Sequence, residues 1–594
     1  MNRVASQDRP LAWHYALIVA CALLVTQPLV ANGPSCGHDF DFHLQSWLAA
    51  SSAWHAGLLY PHWVPAANYG AGEPRFVFYP PLSWVLGALL GSVLRWTWVP
   101  QAFTFLVLAA CGLSFYRLAR AWVRPSIAAA AGCIYLAGPY VLFVAYERTA
   151  YGELLGAAVI PLVVRYALRS RPVLLSLAVA GLWFNNAPAA VMGCYLVALC
   201  AVAAALAARR LLPAVRGLAA LVAGTGLAGV YVLPAWYEQR WVEIARVVGP
   251  GMRVEDSFLF GRTGEPFHDQ VLHTASLIAV VVLGVGLVGV AVSWVCMDRA
   301  VAGEDAPRQP ALHAVLAGGL VAILLLLLPI SDAVWRYAPE LHFLQFPWRW
   351  LLVASLLATL AGASAAEALA QRWAGSRARH IVSAVGVGVT LCIGAWGAGR
   401  YAQQHYAQFC DDEDNVRAQE TLLAPNSADA GSAIAGFEGT DEYTPSGAEN
   451  GEVQQGLPAV RLLAAPGDDE GDDSSTPNPP WQPGAPAPGS VAVSDWGPEH
   501  KRLTVQAPAQ EFAVLRLMDY PAWRVRVNGR TLPARPHRQD GLLTVPVPAG
   551  TTTIDVTYRT TPDVLAGRVL SLLSLLSLAA WEGWTRRRQT PAKD

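Results

Sequence analysis

Two carboxylates and two imidazoles fall within six residues in His38-Asp39-Phe40-Asp41-Phe42-His43, directly after the first long apolar run of the chain. Acidic side chains beside hydrocarbon are costly to keep, so they usually carry a function or a partner. Asp39 and Asp41 could act as a general base and its electrostatic partner. With His43 they also supply the donors for a divalent ion such as Mg or Mn, and His38 stands beside them as a substrate contact. The plainer alternative is a polar helix cap, with Asp39 or Asp41 accepting from backbone N–H groups. Three more segments carry chemistry. Tyr79-Pro80-Pro81 follows Phe76 and Phe78, and interfacial aromatics of this kind ordinarily anchor a membrane protein. Glu147, Arg148 and Glu153 lie within one short polar connection; Arg148 could grip phosphate bidentately, or pair structurally with a glutamate. Gln345 and Arg349 flank Phe346-Pro347-Trp348, where Arg349 invites an anionic partner or snorkels to lipid headgroups.

The elements that must position these residues are membrane helices. Of 594 residues, 54% are hydrophobic and 14% charged, with a mean hydropathy of +0.34. Soluble proteins carry about 25% charged residues, so a water-soluble globule is excluded and a polytopic membrane protein is indicated. Spans are expected at 12–31, 101–118, 126–145, 154–169, 172–187, 188–207, 211–232, 273–295, 313–330, 350–368, 380–398 and 565–583. Residues 11–31 read as a retained span, because the run is long for a signal peptide and no small-residue cleavage site follows. Twelve spans place every arginine cluster on one side: Arg117, Arg120 and Arg124; Arg165, Arg169 and Arg171; Arg209 and Arg210; Arg372, Arg377 and Arg379; and Arg586 to Arg588. Basic loops mark the cytoplasmic side. The apolar stretch 82–95 would invert that agreement if it crossed, so it is expected to lie along or dip into the outer leaflet. All four chemistry-bearing segments then share the outer face.

Net charge is −1, yet residues 400–564 hold 23 acidic against 12 basic side chains. That acidic stretch reads as the one sizeable water-facing part, turned away from the cytoplasm. Its middle, 467–489, is acidic and Pro-rich, a linker composition. Beyond it the sequence alternates with period two at 502–507, 512–517, 523–527 and 553–558, and Asn528-Gly529 is a hairpin turn signal. The expected organisation is a membrane domain over 1–399, an extracytoplasmic segment with linker over 400–489, a β-sandwich over 490–564, and a final span with a basic tail over 565–594. Nine cysteines include no C-x-x-C; Cys36 and Cys410 both fall outside the spans, where an oxidising compartment would let them pair. Lysine is nearly absent, with only Lys501 and Lys593.

In these segments the chain resembles the GT-C superfamily of membrane glycosyltransferases, in particular the bacterial YfhO-like branch, some of whose members carry the label "6-pyruvoyl-tetrahydropterin synthase-related". No residue here points to pterin chemistry. The resemblance rests on Gly37-His38-Asp39 through His43, Phe78-Tyr79-Pro80-Pro81, Glu147-Arg148 to Glu153, Phe346-Pro347-Trp348-Arg349 and Glu442-Tyr443-Thr444-Pro445. Tyr520-Pro521-Ala522-Trp523 and Val547-Pro548-Ala549-Gly550 continue it. It implies a bacterial inner-membrane enzyme that moves a sugar from a polyprenyl-phosphate-linked donor to an extracytoplasmic glycan, lipid or protein. Asp39 or Asp41 would be the general base, Arg148 and Arg349 would hold the donor phosphate, and Glu153, Glu442 and Tyr443 would contact sugar or acceptor. Two other functions compete: a transporter or flippase of a lipid-linked glycan, and a non-catalytic envelope-assembly protein that binds glycan through its β-sandwich. A flippase should place ionisable residues at mid-membrane, for which Arg165 and Arg216 are the candidates. Nothing in the composition suits a nucleic-acid partner.

Overall fold

The computed structural model describes residues 12–249, 251–296, 308–372, 378–423, 435–467 and 489–589. Long apolar runs become a helical bundle, because backbone polar groups in hydrocarbon must be satisfied within their own segment. Its main helices are α1 (Ala12–Asn32), α2 (Phe40–His55), α3 (Pro81–Gly91), α4 (Val99–Ala119), α5 (Pro125–Leu136), α6 (Tyr151–Leu168), α7 (Pro172–Asn185) and α8 (Ala187–Ala208). They continue with α9 (Leu212–Leu227), α10 (Gly229–Glu238), α11 (Pro266–Cys296), α12 (Arg308–Leu326), α13 (Leu351–Arg372), α14 (Ala378–His405) and α15 (Pro562–Gln589). Among the described residues nine helical segments are long and apolar enough to cross a membrane. A tenth is the pair α9 and α10, bent by 75° at Ala228. The expected twelve also included α7, which is apolar but only 14 residues long, and 380–398, which lies inside α14.

The stretch expected to stop short of crossing is α3, of 11 residues. At 1.5 Å per residue it reaches about 16 Å, roughly half the hydrocarbon thickness. Instead of spanning, α3 packs on α2 and α4. The arginine-rich connections gather at one end of the bundle. Arg124 forks onto Glu367 at 2.8 Å, and Arg165 and Arg169 donate to the carbonyls of Arg117 and Ala121. Arg165 therefore sits at this end and not at mid-bundle, and Arg216 is exposed on α9.

The period-two segments form two antiparallel sheets. One has the order β1-β4-β7, from β1 (Val460–Leu463), β4 (Glu511–Met518) and β7 (Leu542–Val547). The other runs β2-β3-β8-β5-β6, from β2 (Ser490–Trp496), β3 (His500–Ala507), β5 (Trp523–Val527), β6 (Arg530–Thr531) and β8 (Gly550–Tyr558). Asn528 and Gly529 both take positive φ, 50° and 78°, and close the β5–β6 hairpin as a two-residue turn. The sandwich begins earlier than 490: β1 pairs with β4 from the far side of the Pro-rich linker. The linker itself, for 468–488, lies outside the described residues, as do Arg377 and Lys593. The sandwich core of Leu503, Val505, Leu515, Val525, Val545 and Ile554 also takes in Trp63 and Ala71 from the connection after α2, so the sheets are seated on the membrane part.

Candidate functional site

The first connection is shaped by one close approach. Gly37 lies so near the Glu147 carbonyl that a Cβ there would stand 2.1 Å from the oxygen. Asp39 N–H then donates to Arg148 O at 2.9 Å, and the Ser35 hydroxyl donates to Tyr146 O at 2.6 Å. The surface they meet is a π-helical turn, Phe143–Arg148, closed by Thr149 in the left-handed region at φ 47°. Such turns recur at functional sites because they re-aim side chains out of helical register. A disulfide between Cys36 and Cys410 joins the same connection to the segment after α14.

Asp39 occupies the N-cap of α2 but makes no side-chain cap bond. Its carboxylate faces Arg148 at 3.3 Å and keeps 39% of its side chain exposed, toward a cavity. Behind it runs a buried network. Arg148 donates to Glu153 at 2.5 Å, Tyr140 O–H donates to the other Glu153 oxygen at 2.7 Å, and Arg349 Nε stands 3.8 Å from Glu153. Arg148 also lies over the Trp348 ring at 5.0 Å. Two guanidinium groups and two carboxylates balance in charge, which is what makes such burial tolerable. Arg148 is thus fully engaged by protein groups. Arg349 differs: it lines the cavity, donates Nη1 only to Leu344 O, and its buried Nε has no hydrogen-bond partner.

The cavity measures about 590 Å³. Its polar lining includes Asp39, Tyr79, Asn186, Gln345, Arg349 and Glu442, and its apolar wall runs along α8 and the bent pair α9–α10. Gln345 lines it while donating to Val247 O at 2.5 Å. Burial pushes the Glu442 carboxyl up to about 7. Tyr443 stacks on Phe78 at 5.3 Å, fixing the Glu442 turn against the mouth. That turn is also tied down by Glu73, which accepts from Thr440 N–H at 2.7 Å and from Arg75 Nε at 2.5 Å. Arg75 in turn reaches Phe42 O and lies 4.3 Å over the Phe42 ring, so one buried ion pair holds both Asp39's helix and Glu442's turn.

The remaining expected site residues are not gathered here. Asp41 is absent from the cavity lining and faces the acidic stretch at Asp414. His43 is buried between Ser83, 3.1 Å from Nδ1, and Tyr79, 3.3 Å from Nε2, and burial pulls its pKa down to about 4. Burial likewise pushes the Tyr79 phenol up. His38 is exposed against Phe267 and 3.9 Å from Glu147, whose carboxylate accepts from Gln408 at 2.9 Å on the far side of the π turn. Asp39, Asp41 and His43 therefore do not converge as metal ligands, and no cluster of three such side chains occurs among the described residues. The residues that sequence reading missed are Tyr140, hidden inside an apolar run, and Glu73 with Arg75. A charged pair in an otherwise aromatic connection was a usable signal for the latter.

No family model and no curated protein sequence matches the chain. Among solved structures it is similar to the cryo-EM structure of arabinofuranosyltransferase AftD from Mycobacteria, with a TM-score of 0.40 and 14% identity over 93% of this chain and 57% of that one. A mutant form of AftD matches with a TM-score of 0.40 and 13% identity over 94% of this chain and 61% of that one. The chain thus spans about three fifths of the length of the protein it matches. By its own fold and site it is a multi-pass α-helical membrane protein with a small β-sandwich before the last span, and with a polar, charge-balanced cavity at the bundle end away from the arginine clusters.

Proposed function

We propose that the protein is a bacterial inner-membrane glycosyltransferase that moves a sugar from a polyprenyl-phosphate-linked donor to an extracytoplasmic acceptor. The observation that carries this reading is the pairing, in one cavity, of an oriented, partly exposed carboxylate with a cavity-lining guanidinium whose Nε lacks a hydrogen bond: Asp39 and Arg349. Arg349 holds the donor phosphate, and the apolar wall along α8 to α10 takes the first units of the lipid. Asp39 takes the proton of the acceptor hydroxyl as that oxygen bonds to the anomeric carbon. The anomeric carbon–phosphate bond breaks with its electron pair on the lipid phosphate, where Arg349 offsets the developing charge. Arg148 fixes the Asp39 carboxylate and Glu153 fixes Arg148, so both are positioning residues. Glu442 and Gln345 contact sugar or acceptor. No step runs through a metal ion, because the expected ligands do not converge.

The test is transfer from radiolabelled polyprenyl-phosphate sugars by purified protein in lipid nanodiscs. Asp39→Asn should lower turnover about 10²- to 10⁴-fold, the usual contribution of a general base. Asp41→Asn should stay near wild type. Equal activity in all three proteins removes the assignment of Asp39. Absence of turnover across a broad donor panel favours transport or assembly instead.

A further inference from the structure

The β-sandwich contains a lysine where its own pattern asks for an apolar side chain. Along β3, burial alternates so that Lys501, Leu503, Val505 and Ala507 face inward. Lys501 is only 3% exposed. Its ammonium donates to the carbonyls of Gly497 and Pro498 and lies over the Trp523 and Trp496 rings at 5.0 and 5.6 Å. No carboxylate among the described residues stands within the 4.0 Å of an ion pair with it. Buried charges are ordinarily paired, so a cation held only by carbonyls and indole faces is set up for an anion from outside.

The outside is close at hand. Lys501 lines a second cavity of about 360 Å³, walled by Trp63, Trp496, Arg516, Glu499 and the C-terminal half of α2 at Ala49, Ser52 and Ala53. Arg516 is buried and donates to Leu457 O at 2.8 Å. Gly70, at φ 92°, allows the guanidinium to come within 3.1 Å of where its Cβ would be. Two cations against one carboxylate leave the lining with one positive charge in excess. Asp495, which also acts on Lys501 through space, is bound to His500 at 2.5 Å. Indole faces beside a fixed cation suit a pyranose ring that carries an acidic group. The volume is at the low end of the roughly 300–1,000 Å³ of small-molecule pockets, fit for a short saccharide segment.

We infer that the cleft between the β-sandwich and α2 is a binding site for an anionic saccharide, one bearing a carboxylate or phosphate that Lys501 and Arg516 receive while Trp496 packs on the ring. It is separate from the catalytic cavity: Ala53 lies 14 residues beyond Asp39, about 20 Å along α2. The site does not depend on the transfer reaction. Burial pulls the Lys501 ammonium down to about 7 and raises the Glu499 carboxyl. Both effects make affinity fall as pH rises above neutrality, since Lys501 and not Arg516 loses its charge there.

The experiment is equilibrium binding to the full-length protein in nanodiscs by thermophoresis, with digalacturonate, a sugar monophosphate, a neutral disaccharide and inorganic phosphate as probes. Binding of either anionic saccharide at least tenfold tighter than the neutral one is expected. Lys501→Met and Trp496→Ala should each weaken it tenfold or more, while Lys501→Arg should retain it, which separates loss of the charge from loss of the fold. Asp39→Asn should bind as wild type, so failure of the transferase reading leaves this one standing. Equal binding of the neutral sugar, binding of inorganic phosphate alone, no binding of any saccharide, or unchanged affinity in Lys501→Met overturns the inference.

Discussion

Replacing Arg148 by methionine removes the cation at the centre of the buried network while keeping most of its volume. Glu153, with 2% of its side chain exposed, would be left with the Tyr140 hydroxyl and with Arg349 at 3.8 Å. Breaking a buried ion pair by deleting one partner costs about 3–5 kcal/mol, chiefly the penalty for the stranded charge. The Asp39–Arg148 contact at 3.3 Å contributes less, because Asp39 is 39% exposed and its attraction is screened by water. A second consequence is geometric. Glu153 would draw Arg349 toward itself and away from the cavity, so turnover should fall together with stability. The assay is a double-mutant cycle of Arg148→Met and Glu153→Leu, read by SDS-induced unfolding in mixed micelles. The single Arg148→Met variant should lose about 3–5 kcal/mol, and the double variant should recover most of it, a coupling above about 1.5 kcal/mol. Strictly additive losses, or an Arg148→Met protein as stable as wild type, would refute the reasoning that these charges exist as one balanced unit.

Two other perturbations follow from particular residues. Because Glu442 titrates near 7 in the fold against an ordinary value of 4.5, the folded state binds its proton more tightly than the unfolded state does. Stability should therefore decline as pH rises from about 4.5 to about 7 and then level off, and Glu442→Gln should remove that slope in melting curves taken across pH. Gly37→Ala would drive a Cβ to 2.1 Å from the Glu147 carbonyl. It should cost about 1–3 kcal/mol of overpacking and detach Asp39 from the π turn, lowering turnover more than donor affinity in the nanodisc assay.

The local part of this protein was written in its sequence. Eighteen-residue apolar runs can only be helices in lipid, Asn528-Gly529 can only close a tight hairpin cheaply, and period-two alternation marks the strands, because each depends on neighbours within a turn or two. The short α3 was legible too, from its length and from the arginine clusters on either side of it. Which aspartate faces the cavity was not legible. Asp39 precedes the first turn of α2 and Asp41 lies in it, and two residues at about 100° each send their side chains to opposite sides. Only the docking of Gly37 on the π turn decides which side is the cavity. The engagement of Arg148 by Glu153 and Tyr140, the Glu73–Arg75 tie between α2 and the Glu442 turn, and the recruitment of β1 across the linker all join residues distant in the chain. Lys501 shows the same division. Sequence marked it as one of two lysines, and only the packing of the sandwich on α2 turned that solitary residue into a buried cation beside a cleft.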